Sequence, residues 1–190
     1  MMDTVPHERI SELTREHIAV VAYDAQWPAR YAAIKERLLR ELPSGFASRI
    51  VHIGSTAVPG LSAKPIIDVQ VEVAQPEHTR STVVPLMRDL GYEFIWRPTM
   101  GERASHYAWF IGRNARGERT EHIHMVEPDE ASEDRILFRD FLRTHPAEAS
   151  RYEVLKQQLL HAHPADRAAY TQGKTDYVRS VVQQARTQHA

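Results

Sequence analysis

The stretch Val51–Val73, VHIGSTAVPGLSAKPIIDVQVEV, sets two β-branched apolar runs on either side of a turn rich in Gly, Ser and Pro. β-Branched residues suit a pleated, half-buried surface, so both runs read as strands, and the turn chemistry between them brings the chain back. Side chains alternate along a strand, which puts Ile67, Val69, Val71 and Val73 on one face and Asp68, Gln70 and Glu72 on the other. The apolar face must be the core, and the polar face then looks into a cleft or solvent. Gly54 and Gly60 allow close backbone approach or positive φ. Ser55 and Thr56 offer hydroxyl and N–H donors, and Lys64 adds a point charge. The pattern contains no Gly-Lys-Ser/Thr and is not a Walker loop. It predicts a phosphate cradle of Gly54, Ser55, Thr56 and Lys64 beside a metal ligand, Asp68. His52, two residues before Gly54, is placed to join it or to close the strand end.

Working outward, Trp27, Tyr31, Ile34, Leu38 and Leu42 recur at spacings of three and four, the stripe of an amphipathic helix that Asp24 can cap and Pro43-Ser44-Gly45 ends. A second helix is expected over 76–91, stopped by Gly91, with Pro85 as a bend or a start. The runs 92–96, 105–112 and 120–127 read as strands, the last two forming a hairpin across RNARGER. Beyond 131 the chain turns helical, near Ser132–Arg143, Pro146–His161 and Pro164–Thr187, with His-Pro pairs between. The order predicts an α+β fold with a mixed or antiparallel sheet, flanking helices and a helical C-terminal segment. One domain is expected over 1–190: a loose arm or short helix over 1–16, the α/β core over 17–130, and C-terminal helices over 131–190 packed on it.

In EHIHM, His122 and His124 share a strand face. Paired imidazoles with an acid on a nearby strand make a two-His, one-carboxylate metal site, a pair of phosphate donors, or a general acid/base pair. Tyr170 and Lys174 lie four apart on one helix face, where Lys174 can reach a phosphate and Tyr170 can stack beside it. Arg97, Arg103 and Arg113 are further candidate anion anchors.

Composition narrows the chemistry. The chain has 190 residues, a formal net charge of -1 and no cysteine. Disulfides, thiolate nucleophiles and Cys-ligated zinc are excluded. A nearly neutral balance supplies no global field for nucleic acid or an anionic membrane, though local basic groups can still hold phosphates. No apolar run approaches the ~20 residues that span a bilayer, and the acidic start of the chain lacks the apolar region of a signal peptide. A cytoplasmic protein is expected.

HIGSTAVPGLSAKPIIDV closely resembles the signature of the GrpB family. YDAQWPARYAAIKERL looks like that family's Trp-containing first helix, EHIHMVE like its His-x-His strand, and YTQGKTDYVRSVV like its closing Tyr-x-x-x-Lys helix. The likeness covers about Val20 to Val182 in family order. The family is similar to the nucleotidyltransferase superfamily of the DNA polymerase β-type fold, whose pattern is a Gly-Gly/Ser pair, a spacer, and Asp-x-Asp/Glu. Here Gly54-Ser55 is followed by twelve residues and then Asp68-Val69-Gln70. The resemblance implies that Gly54 and Ser55 bind nucleotide phosphates and that Asp68 holds Mg²⁺ or Mn²⁺. It further implies transfer of a nucleotidyl or phosphoryl group from a nucleoside triphosphate to a small-molecule metabolite. Some relatives are fused to dephospho-CoA kinase, which suggests metabolite chemistry without identifying it. The departure is Gln70, neutral where the second carboxylate belongs, with His122 and His124 where a third acid is usual. The resemblance therefore implies a one-metal or altered-metal enzyme, or a catalytically silent binding or accessory domain.

Overall fold

The computed structural model describes residues 7–16, 18–73, 79–96 and 107–189. Five strands form one sheet in the order β1-β2-β5-β4-β3. They are β1 (Ala47–Ile53), β2 (Ile67–Val73), β3 (Glu93–Trp96), β4 (Tyr107–Arg113) and β5 (Arg119–Val126). Only β2 and β5 run parallel; β1–β2, β3–β4 and β4–β5 are antiparallel. The α+β fold with a mixed sheet, flanking helices and a helical C-terminal segment is the one expected.

One face of the sheet is the core. Ile67, Val69, Val71 and Val73 of β2 meet Ile123 and Met125 of β5 and Phe110 of β4 there. The helix α2 (Trp27–Glu41) covers them with Trp27, Ile34 and Leu38, and Leu42 just beyond it joins the same cluster. Each such side chain contributes about 1.5–3 kcal/mol when fully buried. Asp24 does not cap α2. It sits one turn earlier, where its Oδ1 accepts the Gln26 N–H at 2.8 Å and its carbonyl accepts that of Trp27 at 3.0 Å. The helix expected over 76–91 is shorter: a π-helical turn at Thr79–Val83 runs into α3 (Val84–Asp89). Pro85 stands in the first turn, where a missing N–H costs nothing. Residues 76–78 of that expectation, and Arg97 and Arg103, lie outside the described residues.

The opposite face carries the polar residues of β2 and β5 and is roofed by the C-terminal helices. These are α4 (Glu130–Thr144), α5 (Pro146–Ala162), α6 (Arg167–Gln172) and α7 (Thr175–His189). Asp129 and Ser132 close a capping box on α4. Phe138, Phe141, Tyr152 and Val181 then bury Val58 and Leu61 of the β1–β2 connection. The last expected helix is two. Asp166 caps α6 through the Ala169 N–H at 2.9 Å, and the chain breaks at Gly173. A Cβ at Gly173 would come within 2.4 Å of Leu159 Cδ2, so a larger residue at this junction would have to push that side chain of α5 aside. Near the N-terminus, α1 (His7–Arg15) seats Leu13 against Ile95 and Ile111, and Glu16 pairs with Arg113 and Arg119. This helix falls within the stretch 1–16 expected as a loose arm or short helix, of which residues 1–6 lie outside the described residues. No helix among the described residues is long and apolar enough to cross a membrane.

Candidate functional site

Register makes the site. Parallel pairing of β2 with β5 sets Asp68 beside His122 and Gln70 beside His124, all on the face away from the core. His122 Nδ1 lies 3.0 Å and His124 Nε2 3.3 Å from the same Asp68 Oδ1. Burial pushes the Asp68 carboxyl up, but the hydrogen bonds from the two imidazoles more than offset it and hold the group well below the usual carboxylate range. Burial lowers His122 to about 4 against the pull of Asp68, so its ring is neutral at pH 7. Trp109 of β4 packs edge-on to His122 and parallel to His124, fixing both rings from the far side.

Gly54 joins Asp68 from the turn. Its φ of 72° and ψ of -173° belong to a region that only glycine occupies freely, and an added Cβ would stand 2.7 Å from Asp68 Oδ2. Gly54→Ala is therefore expected to lower stability by about 1–3 kcal/mol, the usual cost of such backbone strain. Denaturant titration checks it, and an unchanged midpoint would mean that the turn relaxes freely.

Sequence reasoning placed Gly54, Ser55, Thr56, Lys64, Asp68, His122, His124, Tyr170 and Lys174 at the site, and all of them line one cavity of about 940 Å³. His52 does not reach it. Its ring stacks on Tyr31 at 4.8 Å, and its Nε2–H donates to Thr56 Oγ1 at 2.9 Å. Thr56 in turn donates to the Ile66 carbonyl at 3.3 Å. His52, expected among the nucleotide-binding residues, instead braces the turn that presents Ser55, and it does so through the Thr56 hydroxyl. Burial holds His52 down at about 4, as befits a neutral structural ring. Arg139 and Arg143 of α4 clamp the same turn by donating to the carbonyls of His52 and Ala57, each at 2.8 Å.

Gln70 is also not where a cleft ligand would be. It is fully buried under α4, its amide nitrogen donating to Glu72 Oε1 and the Ser132 carbonyl, each at 3.2 Å. Its amide oxygen accepts from Arg135 at 3.1 Å. Arg113 is committed to Glu16 and Glu93 and is no open anion anchor.

The basic side of the cavity is larger than the sequence suggested. Lys64 and Lys174 hold their Nζ atoms 4.8 and 4.5 Å from the centroid of the Tyr170 ring. Lys156 and Arg167 line the same space, and neither was legible as a site residue. For Lys156 a signal existed: it lies four after Tyr152, on the stripe of α5 that also carries Ala149 and Leu159, and a lysine on an apolar stripe asks for an explanation. Arg167 opens a six-residue helix and leaves no such trace. Asp68 is the one carboxylate among the residues lining the cavity.

Asp68, His122 and His124 each offer a ligand atom, all within 4.8 Å of one another. Two imidazole nitrogens and one carboxylate oxygen suit a single first-row divalent ion. Of the two cations expected, Mn²⁺ tolerates this mixed set, whereas Mg²⁺ prefers oxygen throughout.

Residues 17–184 match the model of the GrpB protein family. A UPF0157 protein of Pseudomonas aeruginosa is 36% identical over 178 residues, covering 94% of this chain and 72% of its own length. A UPF0157 protein of Bacillus subtilis is 34% identical over 173 residues, and the chain spans 48% of that relative. The crystal structure of a conserved protein GrpB from Enterococcus faecalis superposes with a TM-score of 0.74 at 31% identity, covering 90% of this chain and 99% of that one.

Proposed function

Because the chain belongs to the GrpB family, we propose that it is a nucleotidyltransferase-like protein. In this reading it binds a nucleoside triphosphate and one divalent metal ion and transfers a nucleotidyl or phosphoryl group to a small-molecule acceptor. The observation that carries this reading is the composition of the cavity: one ionised carboxylate, flanked by two imidazoles, faces a set of lysines across a Gly-Ser turn. A metal ion held by Asp68, His122 and His124 would supply charge neutralisation at the reacting phosphate oxygens. The chain's own groups do the rest by positioning. The turn at Gly54 and Ser55 brings backbone and hydroxyl donors against the phosphates. Lys64 and Lys174 offset their charge as the acceptor oxygen bonds to phosphorus and the bond to the departing phosphate breaks in line. His122, kept neutral by burial, serves as ligand or base in the tautomer that leaves Nδ1, the nitrogen facing Asp68, free of its proton.

One observation favours a second reading, a catalytically silent nucleotide- or metabolite-binding domain. Gln70 is neutral and sealed from the cavity, so the site has a single carboxylate. Calorimetry with ATP, GTP, CTP and UTP, with and without Mn²⁺, followed by pyrophosphate release against a metabolite pool, separates the two. Metal-dependent binding with release supports the enzyme, and binding without release supports the silent domain. No binding of any nucleotide would remove both.

Lys64→Ala is expected to weaken triphosphate binding about 10- to 100-fold, the scale of a lost charge-assisted hydrogen bond, and to leave nucleoside binding nearly unchanged. Equal losses for both ligands in parallel titrations would show that Lys64 does not touch the phosphates.

A further inference from the structure

Beyond Arg119 and Arg135, four basic side chains line the cavity against a single carboxylate, Asp68. Lys64 comes from the β1–β2 connection, Lys156 from α5, Arg167 from α6 and Lys174 from the α6–α7 junction. None forms an ion pair among the described residues, while Arg113 and Arg119 nearby are paired with Glu16. Lys156 is 2% exposed and donates to the Ser62 carbonyl, with its Nζ 5.0 Å from the Tyr152 ring. Lys64 and Lys174 share the Tyr170 ring. The Arg167 Nε is buried with no partner among the described residues.

Like charges gathered in a half-buried space repel one another and lose hydration, so the arrangement is unfavourable unless an anion completes it. The four groups also sense one another in sequence. Burial first, then Lys174 and Arg167, lowers Lys64 to about 7. Burial lowers Lys156 to about 8 against the pull of Glu153, with Lys174 adding to it, and lowers Lys174 to about 8 against the pull of Asp68, with Arg167 adding. They come from four segments around a cavity of about 940 Å³, which has room for more than a single phosphate group. Their place inside a cavity, in a chain of net charge -1, also sets them apart from a polymer-binding surface.

We infer that Lys156, Lys174, Lys64 and Arg167 form a cradle for a run of linked phosphates, and that this cradle holds the run without a metal ion. The inference rests on the nucleotide reading for the use of this cavity and extends it to Lys156 and Arg167. The shared chemistry is the phosphate chain, carried by a nucleoside triphosphate or by inorganic tripolyphosphate.

Calorimetry of the whole chain in EDTA tests it, with orthophosphate, pyrophosphate, tripolyphosphate and ATP as ligands. Tripolyphosphate is expected to bind at least about tenfold more tightly than orthophosphate, as added charge-assisted contacts require. Lys174→Met and Arg167→Met should each weaken it several-fold without lowering the melting temperature. Asp68→Asn should tighten it by removing the acid that faces the cradle. ATP binding more tightly than tripolyphosphate assigns the run to a nucleotide, and equal affinities assign it to the inorganic chain. Equal affinities for orthophosphate and tripolyphosphate, or variants that bind as the parent does, would overturn the inference. Absence of any Mn²⁺-dependent gain with ATP would instead sink the metal-nucleotide reading and leave the cradle standing.

Discussion

Changing Gln70 to Glu is expected to destabilise the protein by about 2–4 kcal/mol, and not to restore a second metal ligand. The substitution looks like a repair, because it supplies the Asp-x-Glu pattern that transfer enzymes of this kind use. Yet Gln70 is buried beneath α4, and its amide nitrogen donates to both Glu72 and the Ser132 carbonyl. A carboxylate there would set oxygen against oxygen twice, one of them on a second acid, with only Arg135 in favour. The new group would hold its proton more tightly folded than unfolded. The loss should therefore be full at pH 7, fade as pH falls from the raised folded value toward the unfolded value of about 4.3, and be gone below it, where both states are protonated. Urea titrations of the variant and parent at pH 7 and pH 4 measure it. A variant as stable as the parent, with raised metal affinity, would show that α4 swings away and frees this position.

Asp68→Asn is expected to remove the metal-dependent part of nucleotide affinity while leaving the fold intact. Loss of supporting groups around a metal ligand costs about 10–100-fold, and loss of the sole charged ligand should cost at least as much. The amide keeps the shape beside Gly54, and the Asp68 side chain is 29% exposed, so little packing changes. Stability against acid changes in a defined direction. The depressed carboxyl of the parent contributes stability above its unfolded value, and that contribution is lost as pH falls through the low folded value. The variant lacks it throughout. Titrating Mn²⁺ and ATP together into both proteins checks the first point. Identical isotherms would remove Asp68 from the metal site.

Much of this arrangement was visible in the residues themselves. Alternation along Ile67–Val73 and Arg119–Val126 put the apolar faces inward, and with both strands on one sheet the acid and the imidazoles had to share the other face. Parallel register then set Asp68 beside His122. Pairing order was not readable, because β5 reaches β2 only after the chain has passed through β3 and β4. Nor was it visible that α4 would lie over Gln70 and Glu72, since helix-on-sheet placement depends on Phe138 and Phe141 finding Val58 and Leu61. That docking turned an expected cleft residue into a buried one. It also drew His52 into bracing the turn, through Arg139 on its carbonyl. Lys156 and Arg167 escaped notice for a related reason: single basic residues on helices read as solvated until a neighbouring element roofs them.

The most direct test is anomalous diffraction from crystals grown with Mn²⁺ and a nucleoside triphosphate whose bridging oxygen is replaced to block transfer. The predicted result is one anomalous peak bounded by Asp68, His122 and His124, with phosphate density running from it toward Lys64 and Lys174. A peak elsewhere, or nucleotide bound outside the cavity, would contradict the assignment of this carboxylate and its two imidazoles as the centre of the site.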